Sequence, residues 1–209
     1  MIINGKYKLE PISLGDLEFA RVLRNSSFVN KYLSNTDYKS EERQLRWYLD
    51  KYVPANEQQR FIVMRKQEKI GFVSLIDIRL ENRKPSAYAG IFISQEHWGS
   101  RASDAALQLL REYVFRGLCL ETVVAHIIKE NKSAMNLAKR IGCVEISAEE
   151  FAEYCSLPID GSHAYFKYLR SSWKEDPSIK INANHALSNL ATFPKPVPDA
   201  SQTQPNPSA

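Results

Sequence analysis

One segment, residues 87–128, constrains the fold more than any other part of the chain. A strand-like run at 87–93 stops at Gln95-Glu96-His97-Trp98-Gly99. Beyond it, Ala106, Leu109, Leu110, Tyr113 and Val114 recur at the spacing of one helix face. Ser103 or Asp104 is the expected cap of that helix, and Gly117 its close. Thr122–Ile128 is then β-branched and largely apolar, which marks a strand covered on both faces. Strand, helix and buried strand in this order predict a parallel step in a sheet, because parallel neighbours need a crossover of this length.

Around this unit the pattern is antiparallel. Residues 7–12 read as a first strand, and Asp16 opens a helix carrying Leu17, Ala20, Leu23 and Arg24. After Ser40, the residues Leu45, Tyr48, Leu49 and Tyr52 share one helical face. Residues 60–65 and 69–78 read as two strands joined by a turn at Lys66-Gln67-Glu68. Asn131 caps a later helix that buries Ala134, Leu137, Ala138 and Ile141 and stops at Gly142. Residues 163–169 alternate as a last strand. The expected order is β-α-α-β-β-β-α-β-α-β, a mixed α/β sheet.

Composition shifts near residue 171. Six of the ten prolines lie in the last 33 residues, among them Pro194, Pro196, Pro198, Pro205 and Pro207. The chain is therefore read as one domain, 1–170, and a tail, 171–209. The tail is expected to hold one short amphipathic helix at 181–193 and then a disordered proline-rich end.

Charge and cysteine content narrow function by exclusion. The 28 Lys+Arg and 24 Asp+Glu give a net charge of +4 without a basic stripe, so no nucleic-acid partner is expected. No apolar run approaches ~20 residues, so no membrane span is expected. The opening Met1-Ile2-Ile3-Asn4-Gly5-Lys6 lacks the charged start and apolar stretch of a signal peptide, which predicts a cytoplasmic address. Cys119, Cys143 and Cys155 have no C-x-x-C spacing and no ligand-spaced His, so reduced thiols and no metal site are expected.

The loop at 95–104 carries the chemistry. A loop that enters a helix presents free backbone N–H groups and the positive end of the helix dipole, a ready site for a pyrophosphate. Neither a Walker P-loop nor a G-x-G-x-x-G fingerprint occurs, which argues against a nucleoside triphosphate or NAD.

Three segments in this order resemble the GNAT superfamily of N-acetyltransferases, in particular its ribosomal-protein and amino-sugar branch. They are Ala89-Gly90-Ile91-Phe92-Ile93; Trp98-Gly99-Ser100-Arg101-Ala102-Ser103 through Phe115; and Ala125-His126-Ile127-Ile128-Lys129-Glu130-Asn131 through Gly142. Leu23-Arg24-Asn25 and Gln44-Leu45-Arg46-Trp47-Tyr48 are similar to the amino-sugar enzymes. The resemblance implies a mostly antiparallel twisted sheet with a parallel, splayed central pair, flanked by helices. It implies acetyl-CoA as co-substrate. Amides of Trp98, Gly99, Ser100, Arg101, Ala102, Ser103 and Asp104 would hold the pyrophosphate. Ile91, Phe92 and Ile93 would pair with the pantetheine arm, one of their N–H groups polarising the thioester carbonyl. Asn131 would reach the cofactor where the strands part.

The sequence departs from the family at four positions. Arg101 stands where a glycine is usual and Ser103 where Gly or Ala is. Tyr88 replaces a frequent glutamate base and Ala138 a frequent tyrosine acid. The groups left to take the amine proton are Tyr88, Asp77 and His126. The expected activity is acetyl transfer from acetyl-CoA to a primary amine, with a small molecule such as an amino sugar as acceptor and a monomer or homodimer as the working form. The alternatives are a ribosomal-protein-type N-terminal acetyltransferase and a degenerate CoA-binding or interaction module.

Overall fold

A computed structural model describes residues 1–55 and 57–182. Most of the expected helix at 181–193 and all of the proline-rich end lie outside the described residues.

The chain begins with strands β1 (Ile2–Asn4) and β2 (Tyr7–Pro11), then helices α1 (Leu17–Asn25), α2 (Ser27–Asn30) and α3 (Glu41–Trp47). Strands β3 (Gln59–Arg65), β4 (Glu68–Arg79) and β5 (Ser86–Ile93) follow, then α4 (Ala102–Glu112), β6 (Thr122–Ile128) and α5 (Lys132–Arg140). Last come β7 (Val144–Ile146), α6 (Ala148–Tyr154), β8 (His163–Leu169) and β9 (Lys180–Ile181). They form one sheet in the order β7-β8-β6-β5-β4-β3-β2-β1-β9. Every pairing is antiparallel except β5 with β6, the parallel step that the crossover helix predicts. Among the described residues no helix is long and apolar enough to cross a membrane.

Helices cover both faces. On one, α4 and the helical turn that continues it bury Ala106, Leu109, Leu110, Tyr113 and Val114 against Val63, Val73, Ala87 and Ile93, while α5 seats Ala138 against Ala164 and Phe166. On the other, α1 and the turn after α3 place Leu17, Ala20 and Tyr52 on Ile62, Met64 and Phe72. Beside them α6 packs Phe151 and Tyr154 on Val124, Tyr165 and Tyr88. Ala106, Leu109 and Leu110 in α4 and Tyr113 just past its end, each close to fully covered, account for the periodicity of the sequence.

The parallel contact is short, and its shortness makes the site. β5 and β6 pair only at Ser86↔Thr122, Ala87↔Val123 and Tyr88↔Val124. Beyond these pairs β5 stays on β4 as far as Ile93, and β6 stays on β8 as far as Ile128. The two strands therefore part at Ala89 and Ala125, leaving facing edges without strand partners.

The structure corrects several local expectations. Neither Ser103 nor Asp104 caps α4; the N-cap is Arg101, in left-handed conformation (φ 62°) and without a side-chain cap bond. Both residues instead lie inside the first turn. Strands β1, β7 and β9 and helix α6 were not anticipated. Past residue 170 the described chain continues to pack: β9 pairs with β1, and Ile179 is 2% exposed. The Asn131 cap and the Gly142 stop are as expected, with the Asn131 Oδ1 accepting from the Ala134 N–H at 3.1 Å and Gly142 at φ 88°.

Candidate active site

The loop between β5 and α4 sits at the mouth of the fork. The Trp98 indole N–H donates to the Ile93 carbonyl at 3.0 Å, and its ring meets Phe28 edge-on at 5.5 Å, fixing the loop to the end of β5. Gly99 (φ 74°) and Arg101 (φ 62°) both take positive φ, so the backbone turns twice within four residues. The Trp98 and Ser100 N–H groups are committed to the Gln95 and His97 carbonyls, at 3.1 and 3.3 Å. The first helical bond of α4 runs from the Ala105 N–H to the Arg101 carbonyl at 3.0 Å. The amides of Ala102, Ser103 and Asp104 therefore have no partner within the helix, the arrangement that suits an oxyanion. The Asp104 carboxylate is held by Arg140 at 2.9–3.1 Å, so its charge is offset beside these amides.

Across the fork, on the α1/α6 face, lie most of the titratable candidates. The His126 ring stands 5.1 Å from Tyr88, 6.0 Å from Phe151 and 4.5 Å from His163. The His126 Nδ1 is buried and has no hydrogen-bond partner. Burial, reinforced by His163, pulls the imidazole down to about 4, so it is neutral at pH 7. His163 is buried and held by Ser34 Oγ at Nε2 and Ser162 Oγ at Nδ1, both at 3.2 Å. Burial raises the Tyr88 hydroxyl well above the usual phenol range, and Cys155 adds to this.

Asp77 is committed elsewhere. It occupies an irregularity in the β4–β5 ladder at φ 51°, accepts from Arg79 Nη2 at 2.9 Å and takes the Ser156 N–H at 2.5 Å. Burial pushes its carboxyl up, but the bonds from Arg79 and Ser156 outweigh that and hold it low. Of the three proton-accepting candidates, the fold brings Tyr88 and His126 together and leaves the buried His126 Nδ1 without a partner. Asn131 spends its side-chain oxygen on the α5 cap, which leaves its amide N–H groups for other partners. Ala138 is buried, so nothing at that position reaches the fork. Two residues were not singled out in the sequence. His163 is placed by the Ile128↔His163 register, which has no local signal. Arg60 stands near the start of β3, between Gln59 and the apolar run Phe61–Met64.

A parallel pair that parts to leave two free edges, with unpaired helix amides at its mouth, defines an acyltransferase built to thread a CoA arm through its sheet. The chain belongs to the GNAT acetyltransferases: the family model described as acetyltransferase (GNAT) domain matches residues 7–144. Spermidine N(1)-acetyltransferase of Escherichia coli (strain K12) is 30% identical over 135 residues, covering 65% of this chain and 71% of that protein. The crystal structure of spermidine N-acetyltransferase from Vibrio cholerae in complex with CoA and spermine superposes with a TM-score of 0.68 at 27% identity, over 80% of this chain and 98% of that one. A dodecameric structure of the Vibrio cholerae enzyme superposes at 0.61, with 27% identity over 80% and 96% of the two chains. That assembly is larger than the monomer or homodimer expected here. The protein is an N-acetyltransferase that uses acetyl-CoA.

Proposed function

We propose that the chain acetylates the primary amine of a small molecule at the fork, with His126 as the proton acceptor. The observation that carries this reading is the parting of β5 and β6 beyond Tyr88 and Val124, with His126 the next residue but one along β6. The amides of Ala102, Ser103 and Asp104 hold the pyrophosphate of acetyl-CoA, and the free edge of Ile91–Ile93 receives the pantetheine arm. Arg101, Trp98, Gly99 and Ser100 shape the loop, and Asn131 offers its amide N–H groups to the arm from the β6 side.

The amine nitrogen attacks the thioester carbonyl, the new C–N bond forms, and the C–S bond breaks to release CoA as its thiolate. The proton shed by the nitrogen goes to the neutral His126 imidazole, and a proton from solvent ends on the thiolate. An imidazole near 4 cannot hold that proton at pH 7, so it passes onward; His163 and Ser34 lie on the outward side. Positioning the amine against the thioester supplies the larger part of the acceleration.

Two acceptor classes stand against each other. The amino-sugar expectation comes from the sequence, and the similarity to two spermidine acetyltransferases favours a polyamine. Acetyl-CoA with a panel of amines, read by mass spectrometry, tests the proposal. Gain of an acetyl group, together with slowed hydrogen exchange at 89–93 and 98–104, is the expected result. No acetylated amine and unchanged exchange at saturating acetyl-CoA would overturn it.

A further inference from the structure

Arg60 is the most anomalous side chain on the acceptor face. It lies on β3 directly opposite Ser74, which lies opposite Gly90 of β5, so the three form one row across the sheet. Its guanidinium is stacked 4.6 Å from the Trp47 ring and 5.9 Å from the Phe72 ring. Nη2 makes one long bond to Gln58 Oε1 at 3.4 Å, and Nε is buried with no acceptor. Among the described residues no carboxylate lies within ion-pair distance of it, although Arg21, Arg46, Arg79, Arg116 and Arg140 each have one. Burial pulls this guanidinium down to about 10, yet it stays charged at pH 7.

A half-buried cation whose Nε is sealed from water without an acceptor, and which has no counter-charge, is costly to keep unless something supplies the charge. The row shows what could. Gly90 has no side chain, and a Cβ there would meet Ser74 Oγ at 3.0 Å, so the sheet surface between Phe92 and Tyr88 is bare and polar-floored. Gly90 is also the second residue past the point where β5 leaves β6. Two strand spacings, about 10 Å, separate its backbone from that of Arg60. A small molecule whose amine reaches the thioester beside Gly90 thus lays its far end toward the guanidinium.

We infer that Arg60 binds an anionic group of the acceptor, so that the preferred substrate is a primary amine carrying a carboxylate or a phosphate. The inference rests on the proposed acetyl transfer at the fork. It makes this chain differ in acceptor from its polyamine-acetylating relatives, because a polyamine brings only further positive charge to Arg60. The planar guanidinium matches either oxyanion with paired N–H donors, and Trp47 and Phe72 hold the plane in place.

The test compares the full-length wild type with Arg60→Gln and Arg60→Lys on spermidine, on amino acids bearing a carboxylate, and on amino-sugar phosphates. The wild type is expected to favour one of the two anionic sets over spermidine, and which set it favours identifies the oxyanion. Arg60→Gln should lower kcat/KM for that set at least tenfold, mainly through KM, and leave spermidine unchanged or improved. Arg60→Lys keeps the charge without the fork and should fall between; it carries the comparison alone if the glutamine variant does not fold. A wild type that prefers spermidine, or an Arg60 variant that loses all acceptors equally, overturns the inference while leaving acetyl transfer standing. If no amine in any set is acetylated, acetyl transfer to a small amine fails, and the inference falls with it.

Discussion

Arg140, at the end of α5, grips Asp104 in the first turn of α4 with three bonds of 2.9–3.1 Å. The pair ties the two helices of one face together at the mouth of the fork. Asp104 alone would favour the α4 dipole but repel a pyrophosphate placed on the same amides. Arg140 removes that conflict. Arg140→Ala should therefore weaken acetyl-CoA binding several-fold with little change in melting, since both side chains face solvent. The double variant Asp104→Asn/Arg140→Ala should recover most of the affinity. Calorimetric titration of both against wild type checks this, and a double variant no better than the single one would refute it.

Arg101 holds an αL conformation that glycine adopts without strain. Arg101→Gly should raise stability by about 1 kcal/mol, a rise of a few degrees in melting. Arg101→Ala keeps the strain and should not. If the guanidinium meets a phosphate, both variants lose affinity for acetyl-CoA by roughly tenfold. Melting and titration on the same pair separate the backbone effect from the charge effect.

Gly71 of β4 lies opposite Ile93, at the end of the β4–β5 ladder. A Cβ there would stand 2.3 Å from the Phe92 carbonyl oxygen and 2.6 Å from Ile93 Cδ1. Gly71→Ala must push β5 toward the fork, at a cost of about 1–3 kcal/mol. Activity should fall more than stability does, because the displaced edge is the one proposed to receive the cofactor. Equal activity per folded molecule would contradict that.

Acid stability carries the mark of His126. Its folded pKa, about 4, is below the value near 6.5 of an unfolded histidine. Between those values the unfolded chain binds a proton that the native one refuses, so stability falls as pH drops from about 6.5 to 4. The loss is on the order of 2–3 kcal/mol. His126→Gln should flatten that part of the stability–pH curve, measured by urea denaturation at stepped pH. A slope equal to wild type would assign the loss to other groups.

Residues 171–182 should be required for folding. Glu112 is 1% exposed, and its carboxylate is served by the Trp173 indole N–H at 3.2 Å and the Asp176 N–H at 2.8 Å. A chain ending at residue 170 leaves a buried carboxylate without these donors and strips the cover from Ile2 and Phe115, a loss of about 3–5 kcal/mol. A chain ending at residue 182 should melt close to the full length. Thermal melting of the two truncations decides.

What the sequence disclosed follows the length of each element. Helices α1 and α4 and the strands of the β3–β6 region bury several positions at a fixed period, so the pattern is written in the residues, whereas α5 buries only Ala138 of the four positions expected, Ala134, Leu137 and Ile141 being half-buried. β7 and β9 bury almost nothing and exist because β8 and β1 offer them an edge. α6 was readable after all. Ser147 accepts from the Glu150 N–H at 3.1 Å, the S-x-x-E spacing of a helix start. Gly5-Lys6 is likewise the two-residue turn of the β1–β2 hairpin, with Asn4 paired to Tyr7 and Gly5 at φ 54°. In the site, the loop and His126 were legible because they sit on predictable elements. His163 needed the β6–β8 register, and the commitment of Asp77 needed an irregularity that periodicity does not mark.

The brevity of the parallel contact also bears on how the sheet holds together. Among the described residues, three residue pairs make up the strand ladder that joins the β1–β5 side of the sheet to the β6–β8 side. Mechanically the domain is two plates sharing a short seam at one end, with the seam's continuation left for a guest. A pantetheine arm lying along the open edges would act as a splint across it. Load applied across the plates, or slow opening of the native state, should then begin at the fork and be resisted by the cofactor more than by any single side chain.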